Sequence, residues 1–152
     1  MGSEAEREYP QRLYHETPGR AGAGACFHVR LRAAPNNPFP FTSPELGTKL
    51  LEAVAAYHEQ GRWFASVFLL MPDHVHALLA FPPTLAMSRV VGDWKRFIAR
   101  ADGVWWQTNY FDHRLRHEKE RAETYGYILR NPVVKGLCAK EDEWPWIFRP
   151  SD

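Results

Sequence analysis

Two histidines stand one residue apart in "MPDHVHALLAF", residues 71 to 81, behind a Pro72–Asp73 turn and ahead of an apolar run. Side chains alternate along a strand, so His74 and His76 share one face, roughly 6–7 Å apart, while Val75, Ala77 and Leu79 share the other. Two imidazoles on one outward face offer two convergent nitrogen donors, a spacing that suits a metal ion. Two surface histidines on a half-exposed sheet would leave the same pattern. Further along, "YILRN" sets Tyr127 and Asn131 four residues apart, on one face of a continuous helix. A phenol and an amide oxygen could there be presented together to whatever sits on the sheet. The plain alternative is a core tyrosine followed by an asparagine that Pro132 pushes out of the helical region. No H-E-x-x-H, Walker lysine motif or G-x-S-x-G is present, which argues against zincin, P-loop and serine-hydrolase chemistry.

These residues need elements to hold them. Residues 1–25 mix charges with "PGRAGAGA" and read as a flexible N-terminal extension, leaving 26–152 as one domain. "CFHVRLRA" alternates as a strand, and the proline-rich "APNNPFPFTSP" that follows is a loop matching no motif. Ser43 before Pro44 marks a helix start; Leu46, Leu50, Val54 and Tyr57 carry its apolar stripe to Gly61. "RWFASVFLLM" and "HVHALLAF" form a hairpin across Pro72–Asp73. "LAMSRVVGDWKRFIARADG" is an amphipathic helix with Val90, Trp94, Phe97 and Ile98 inward. "VWWQTNYFDHRLRH" holds a fourth strand, "EKERAETYGYILR" a last helix up to Asn131–Pro132, and "EDEWPWIFRPSD" an irregular tail. Strand, helix, strand, strand, helix, strand, helix is a ferredoxin-like split βαβ order with an extra C-terminal helix, an α+β fold.

At 152 residues, 45% apolar and 24% charged, the chain has ordinary globular composition for one domain. Its net charge of +1 points to no polyanionic partner by itself, although Arg89 to Arg121 holds eight Lys/Arg against five Asp/Glu. Lys95, Arg96, Arg100, Arg114 and Arg116 could track a phosphate backbone, and Trp105, Trp106, Tyr110 and Phe111 could stack bases. A solvated helix face and core aromatics would explain the same residues. Cys26 and Cys138 form no framework, no apolar run reaches membrane-spanning length, and Met1 to Arg20 is not signal-like. The expectation is a cytoplasmic protein with free thiols and no membrane contact. His15, His28, His58 and His117 are read as structural or exposed.

Taken together and in order, "MPDHVH", "FDHRLR" and "YILRNPVVKGL" resemble the REP-associated tyrosine transposases, which are single-tyrosine HUH transposases related to small bacterial insertion sequences. The resemblance covers roughly Cys26 to Arg149. It implies that His74 and His76 bind a divalent metal, Mg²⁺ or Mn²⁺, with Asn131 similar to a third ligand. It implies that Tyr127 is the nucleophile and that a 5′-phosphotyrosine forms on single-stranded DNA, often at hairpin or palindromic sites. The implied fold is a four-stranded antiparallel sheet with flanking helices, working as a monomer or homodimer. His113 fits the pattern without an assigned role. Two other classes stay open: a nucleic-acid-binding module without transposition, and a metal-dependent phosphodiesterase in which water attacks. No RNP-type string supports an RNA-binding sheet.

Overall fold

The computed structural model describes residues 25–151, so the extension expected over residues 1–25 lies outside it except for Ala25. The chain runs β1 (Cys26–Arg32), α1 (Pro44–Glu59), β2 (Phe64–Leu70), β3 (His74–Ala80), α2 (Met87–Asp102), β4 (Phe111–Leu115), α3 (Glu118–Val134), a 3-10 turn (Glu141–Glu143) and β5 (Ile147–Phe148). Ser43 precedes Pro44 at the start of α1, as the proline pattern requires. Gly103 closes α2 at φ 72°, a left-handed position that glycine adopts without steric cost.

The strands form one antiparallel sheet in the order β4-β1-β3-β2-β5. Among the described residues it has five strands, which corrects the expectation of four. The tail expected to be irregular is tied to the free edge of β2. Trp144 Nε1 donates to the Leu70 carbonyl at 3.0 Å, and the Leu70 amide donates to the Trp146 carbonyl at 2.9 Å. Gly47 of α1 makes room for Trp146, because a Cβ there would lie 2.6 Å from the indole. A two-residue strand has no period to read, so only these contacts define it.

Both sheet faces are covered. Leu50 and Val54 of α1 and Trp94 and Ile98 of α2 pack with Val29, Leu31, Val75, Ala77 and Leu79 on one face. On the other, Ile128 of α3 packs with Cys26, Val67, Leu69, Leu78 and Leu115. Phe97, expected inward, is instead 51% exposed, at the edge of the α2 stripe. All seven residues of β3 are buried as a result. Helix α3 does not stop before Asn131–Pro132. Pro132 removes one helical hydrogen bond, but it sits in the final turn, where the Lys135 amide still donates to the Asn131 carbonyl at 3.0 Å. Asn131 and Pro132 are both buried, and that packing outweighs the local preference of a residue before proline.

Candidate active site

The expected outer face of β3 is the face that α3 covers, so His74 and His76 are not surface side chains: they are 9% and 2% exposed. Their rings meet edge to face with centroids 4.9 Å apart. Tyr127, reaching down from α3, sets its ring perpendicular to that of His76 at 5.8 Å. Asn131 lies one turn further along the same helix face and is 5% exposed. The helix–sheet packing therefore sets Tyr127 against the histidine strand, with Asn131 on the same face of the helix.

Each histidine uses the same ring nitrogen to hold itself in place. His74 Nδ1 lies 2.8 Å from Asp73 Oδ1, and His76 Nδ1 lies 3.1 Å from His28 Nε2. With protons on both Nδ1 atoms, both Nε2 lone pairs are left for another partner, the orientation seen when imidazoles ligate metals. Among the described residues, no group of three His, Cys, Asp or Glu side chains is arranged to hold a metal ion. An amide could supply a third donor: Asn131 Oδ1 is buried and has no hydrogen-bond partner among the described residues. An orphaned buried carbonyl oxygen is costly unless something fills its need. The donor set, two imidazole nitrogens and one amide oxygen, fits a divalent cation.

Electrostatics keep the imidazoles neutral. Burial lowers His76 well below its usual range, helped by His28, His74, Arg30 and Arg32. Burial also lowers His74, against the opposing effect of its hydrogen bond to the Asp73 carboxylate. His28 is lowered to about 3, by burial first and then by Arg30 and His113. Neutral nitrogens are the form that can donate a lone pair.

His28, expected to be structural or exposed, is fully buried at the centre of the site. It stacks on His76 at 5.3 Å and meets Tyr127 edge-on at 6.4 Å. Arg30 and Arg32 were also missed: register places Arg30 opposite His76 and Arg32 opposite His74. The signal was present in "HVRLR", where positions 28, 30 and 32 share one strand face. His113 gains a structural role. It lies 3.0 Å from Glu120 Oε2 in a buried contact, while Glu120 Oε1 accepts the Arg116 amide at 2.7 Å, and together these tie the first turn of α3 to β4. His58 accepts the Ala65 amide on Nδ1 at 3.1 Å and is structural, as expected.

The expected nucleic-acid contacts are dispersed. Lys95, Arg96 and Arg100 belong to α2, on the opposite sheet face from the histidine pair. Lys95 donates to the Gln107 carbonyl at 3.0 Å, and Arg96 pairs with Asp93 at 2.6 Å. Arg114, between His113 and Leu115, points away from the site face. Arg116 follows β4 and holds Glu120 through its backbone. Trp106 packs against Phe41 and Trp94, whereas Trp105 is 53% exposed; Phe111 lies beneath Arg30 at 4.2 Å.

His28 makes acid stability testable. Its folded-state value near 3 lies below the unfolded value of 6.5, so the unfolded chain takes up the proton first as pH falls. The stability is present above 6.5 and is lost as pH drops from 6.5 towards 3, by about 1.4 kcal/mol per pH unit at full slope. His74 and His76 act in the same direction. Urea midpoints measured in chelator between pH 7 and pH 5 should fall, and His28→Gln should shallow that dependence by one proton. An unchanged slope in the variant would remove His28 as a contributor.

This chain belongs to the IS200-like transposase family, whose pattern matches residues 28–129, a span that includes His28, His74, His76, His113 and Tyr127. It is similar to a Haemophilus influenzae protein named as a REP-associated tyrosine transposase, 25% identical over 95 residues, 51% of this chain and 53% of that one. The match thus spans about half of that relative's length. A REP-associated tyrosine transposase solved bound to a REP hairpin shares the fold, with TM-score 0.68 at 20% identity over 93% of this chain and 81% of that chain. A transposase structure from Deinococcus radiodurans aligns at TM-score 0.50 and 17% identity, covering 83% and 99% respectively. No helix among the described residues is long and apolar enough to cross a membrane.

Proposed function

We propose that this transposase-family chain cleaves and rejoins single-stranded DNA at hairpin or palindromic sites through a tyrosine–DNA intermediate. The observation that carries the reading is the set of groups under α3: two histidines with Nδ1 engaged, an orphaned amide oxygen on Asn131, and a tyrosine ring against His76. The β4-β1-β3-β2 core is read as a ferredoxin-like split βαβ sheet with β5 added, in a cytoplasmic protein. His74, His76 and Asn131 would hold Mg²⁺ or Mn²⁺. When bound there, the ion supplies charge neutralisation on the phosphate and polarises a non-bridging oxygen.

Tyr127 attacks phosphorus with its phenolic oxygen; the bond to the 3′ oxygen breaks and the phenolic proton is balanced by the one the leaving 3′-hydroxyl gains. A 5′-phosphotyrosine and a free 3′-OH result, and the retained ester allows rejoining without a nucleotide cofactor. Asp73 and His28 orient the two histidines, and the His113–Glu120 contact holds the tyrosine helix in register over them. Arg30 and Arg32, opposite the pair on β1, receive the phosphates next to the cleaved one. Lys95, Arg96, Arg100, Arg114 and Arg116 meet the strand or its hairpin further out.

Incubating the protein with Mg²⁺ and labelled hairpin oligonucleotides tests the proposal: a denaturation-resistant adduct is expected, and hairpins with single-stranded flanks should bind better than plain duplex. Arg30→Gln with Arg32→Gln should weaken binding roughly 10-fold or more at moderate salt and flatten the salt dependence by about two ion equivalents, against smaller losses for Lys95 and Arg96. Equal affinity for RNA and DNA of one sequence, with no adduct, would favour a binding module instead.

A further inference from the structure

The loop 34–42 matched no motif, and the fold gives it an unusual construction. Pro35, Pro38 and Pro40 stiffen it, and the buried ring of Phe41 anchors its end. Asn37 braces it from within: its Oδ1 accepts the Trp105 amide at 2.7 Å and its Nδ2 donates to the Phe39 carbonyl at 2.8 Å. The backbone is tied down as well, with the Ala34 amide on the Trp105 carbonyl at 2.7 Å and the Phe41 amide on the Pro72 carbonyl at 2.8 Å. The product of all this bracing is an aromatic ring held out in water, for Phe39 is 63% exposed. A chain seeking only stability would turn that ring inward.

The ring stands at the wall of a cavity of about 760 Å³ that lies between this loop, the β2–β3 turn and the end of α3. That cavity reaches His74 itself, and Arg32 and Lys135 also line it. Its volume is in the range of pockets that enclose small ligands. An exposed aromatic on a braced loop, two cations and an edge formed by His74 make a combination that suits one occupant, a nucleotide of a single strand. Base–aromatic stacking needs a ring already held in place, and phosphates need the cations. Arg32 reaches Asp73 only at 3.9 Å with both side chains exposed, so that ion pair leaves it available.

We propose that this cavity is a nucleobase subsite in which Phe39 stacks on a base flanking the cleaved phosphate, with Arg32 and Lys135 on the adjoining phosphates. The inference rests on the reading of the histidine pair as the cleavage site and adds where the flanking strand lies. The test uses the full chain carrying Tyr127→Phe, so that bound DNA stays uncut, and a fluorescent hairpin with an oligothymidine flank. Single abasic sites are moved along the flank. At one or two positions near the cleavage point, the abasic probe should bind on the order of 10-fold more weakly. Phe39→Ala should lose a similar factor on the intact probe and become indifferent to the abasic site at those positions, and Phe39→Trp should restore both. Because the ring is exposed, an unchanged melting temperature is expected and checks that the fold survives. Identical abasic penalties with and without Phe39 would overturn the subsite. So would wild-type affinity in Phe39→Ala accompanied by an altered oligomeric state, which would make the ring a protein contact. If the chain with Tyr127 intact still forms its adduct while the Phe39 coupling is missing, the subsite alone falls; if neither adduct nor hairpin binding appears, the cleavage reading falls with it.

Discussion

Tyr127→Phe is expected to eliminate the covalent protein–DNA adduct and to reduce cleavage by on the order of 10⁴-fold or more, the scale of losing a nucleophile. The change removes one oxygen and keeps the ring, so the edge-on contacts with His76 at 5.8 Å and His28 at 6.4 Å survive. Fold and hairpin binding should therefore match wild type. Tyr125, two residues earlier, also packs in the α3 core but brings no ring to the histidines. Helical geometry turns it roughly 160–200° away, so it should not substitute. Peptide mapping of a trapped adduct decides the matter. A DNA-linked peptide containing a modified Tyr125, or undiminished cleavage by the Phe variant, would place the nucleophile elsewhere.

Replacing His74 or His76 by alanine should lower single-turnover cleavage roughly 10³-fold at fixed Mg²⁺, since under the proposed function each removes one of three donors to the phosphate-activating ion. The half-saturating Mg²⁺ or Mn²⁺ concentration should rise while hairpin affinity at high metal changes little. The two variants should differ in stability. His76 is 2% exposed, and its loss leaves His28 Nε2 without its 3.1 Å partner, a change costing about 1–3 kcal/mol. His74 bonds to the exposed Asp73, which water can satisfy, so the melting temperature of that variant should fall less. Cleavage at the normal rate by either variant would end the metal-site reading. Tight stoichiometric zinc in the purified protein would instead support the water-attacking phosphodiesterase.

Much of this was legible in the chain. The two-residue spacing of His74 and His76 and the four-residue spacing of Tyr127 and Asn131 each define a shared face on their own element, because strand and helix periods are local properties. Apolar stripes and proline and glycine punctuation marked the three helices and four of the strands for the same reason. The C-terminal strand was not legible, since two residues carry no period and its pairing depends on Trp144 and Trp146 reaching β2 and α1. The end of α3 was misplaced because the local bias before Pro132 yields to burial of Asn131 against the sheet.

Which faces meet is a different kind of information. Local periodicity is enough to establish a histidine pair and a tyrosine–asparagine pair, each with its members aligned, on a strand and a helix of an α+β domain. It takes the packed fold to show that α3 lies over the histidine face, that β1 slots beside β3 to bring His28, Arg30 and Arg32 to it, and that α2 carries Lys95, Arg96 and Arg100 to the other side. The histidines were expected on an open face for this reason: burial is set by what packs on a strand, and that partner is about fifty residues away in the chain. Side-chain direction repeats every two or 3.6 residues and can be read locally, whereas the pairing of faces is a long-range outcome of burying apolar surface.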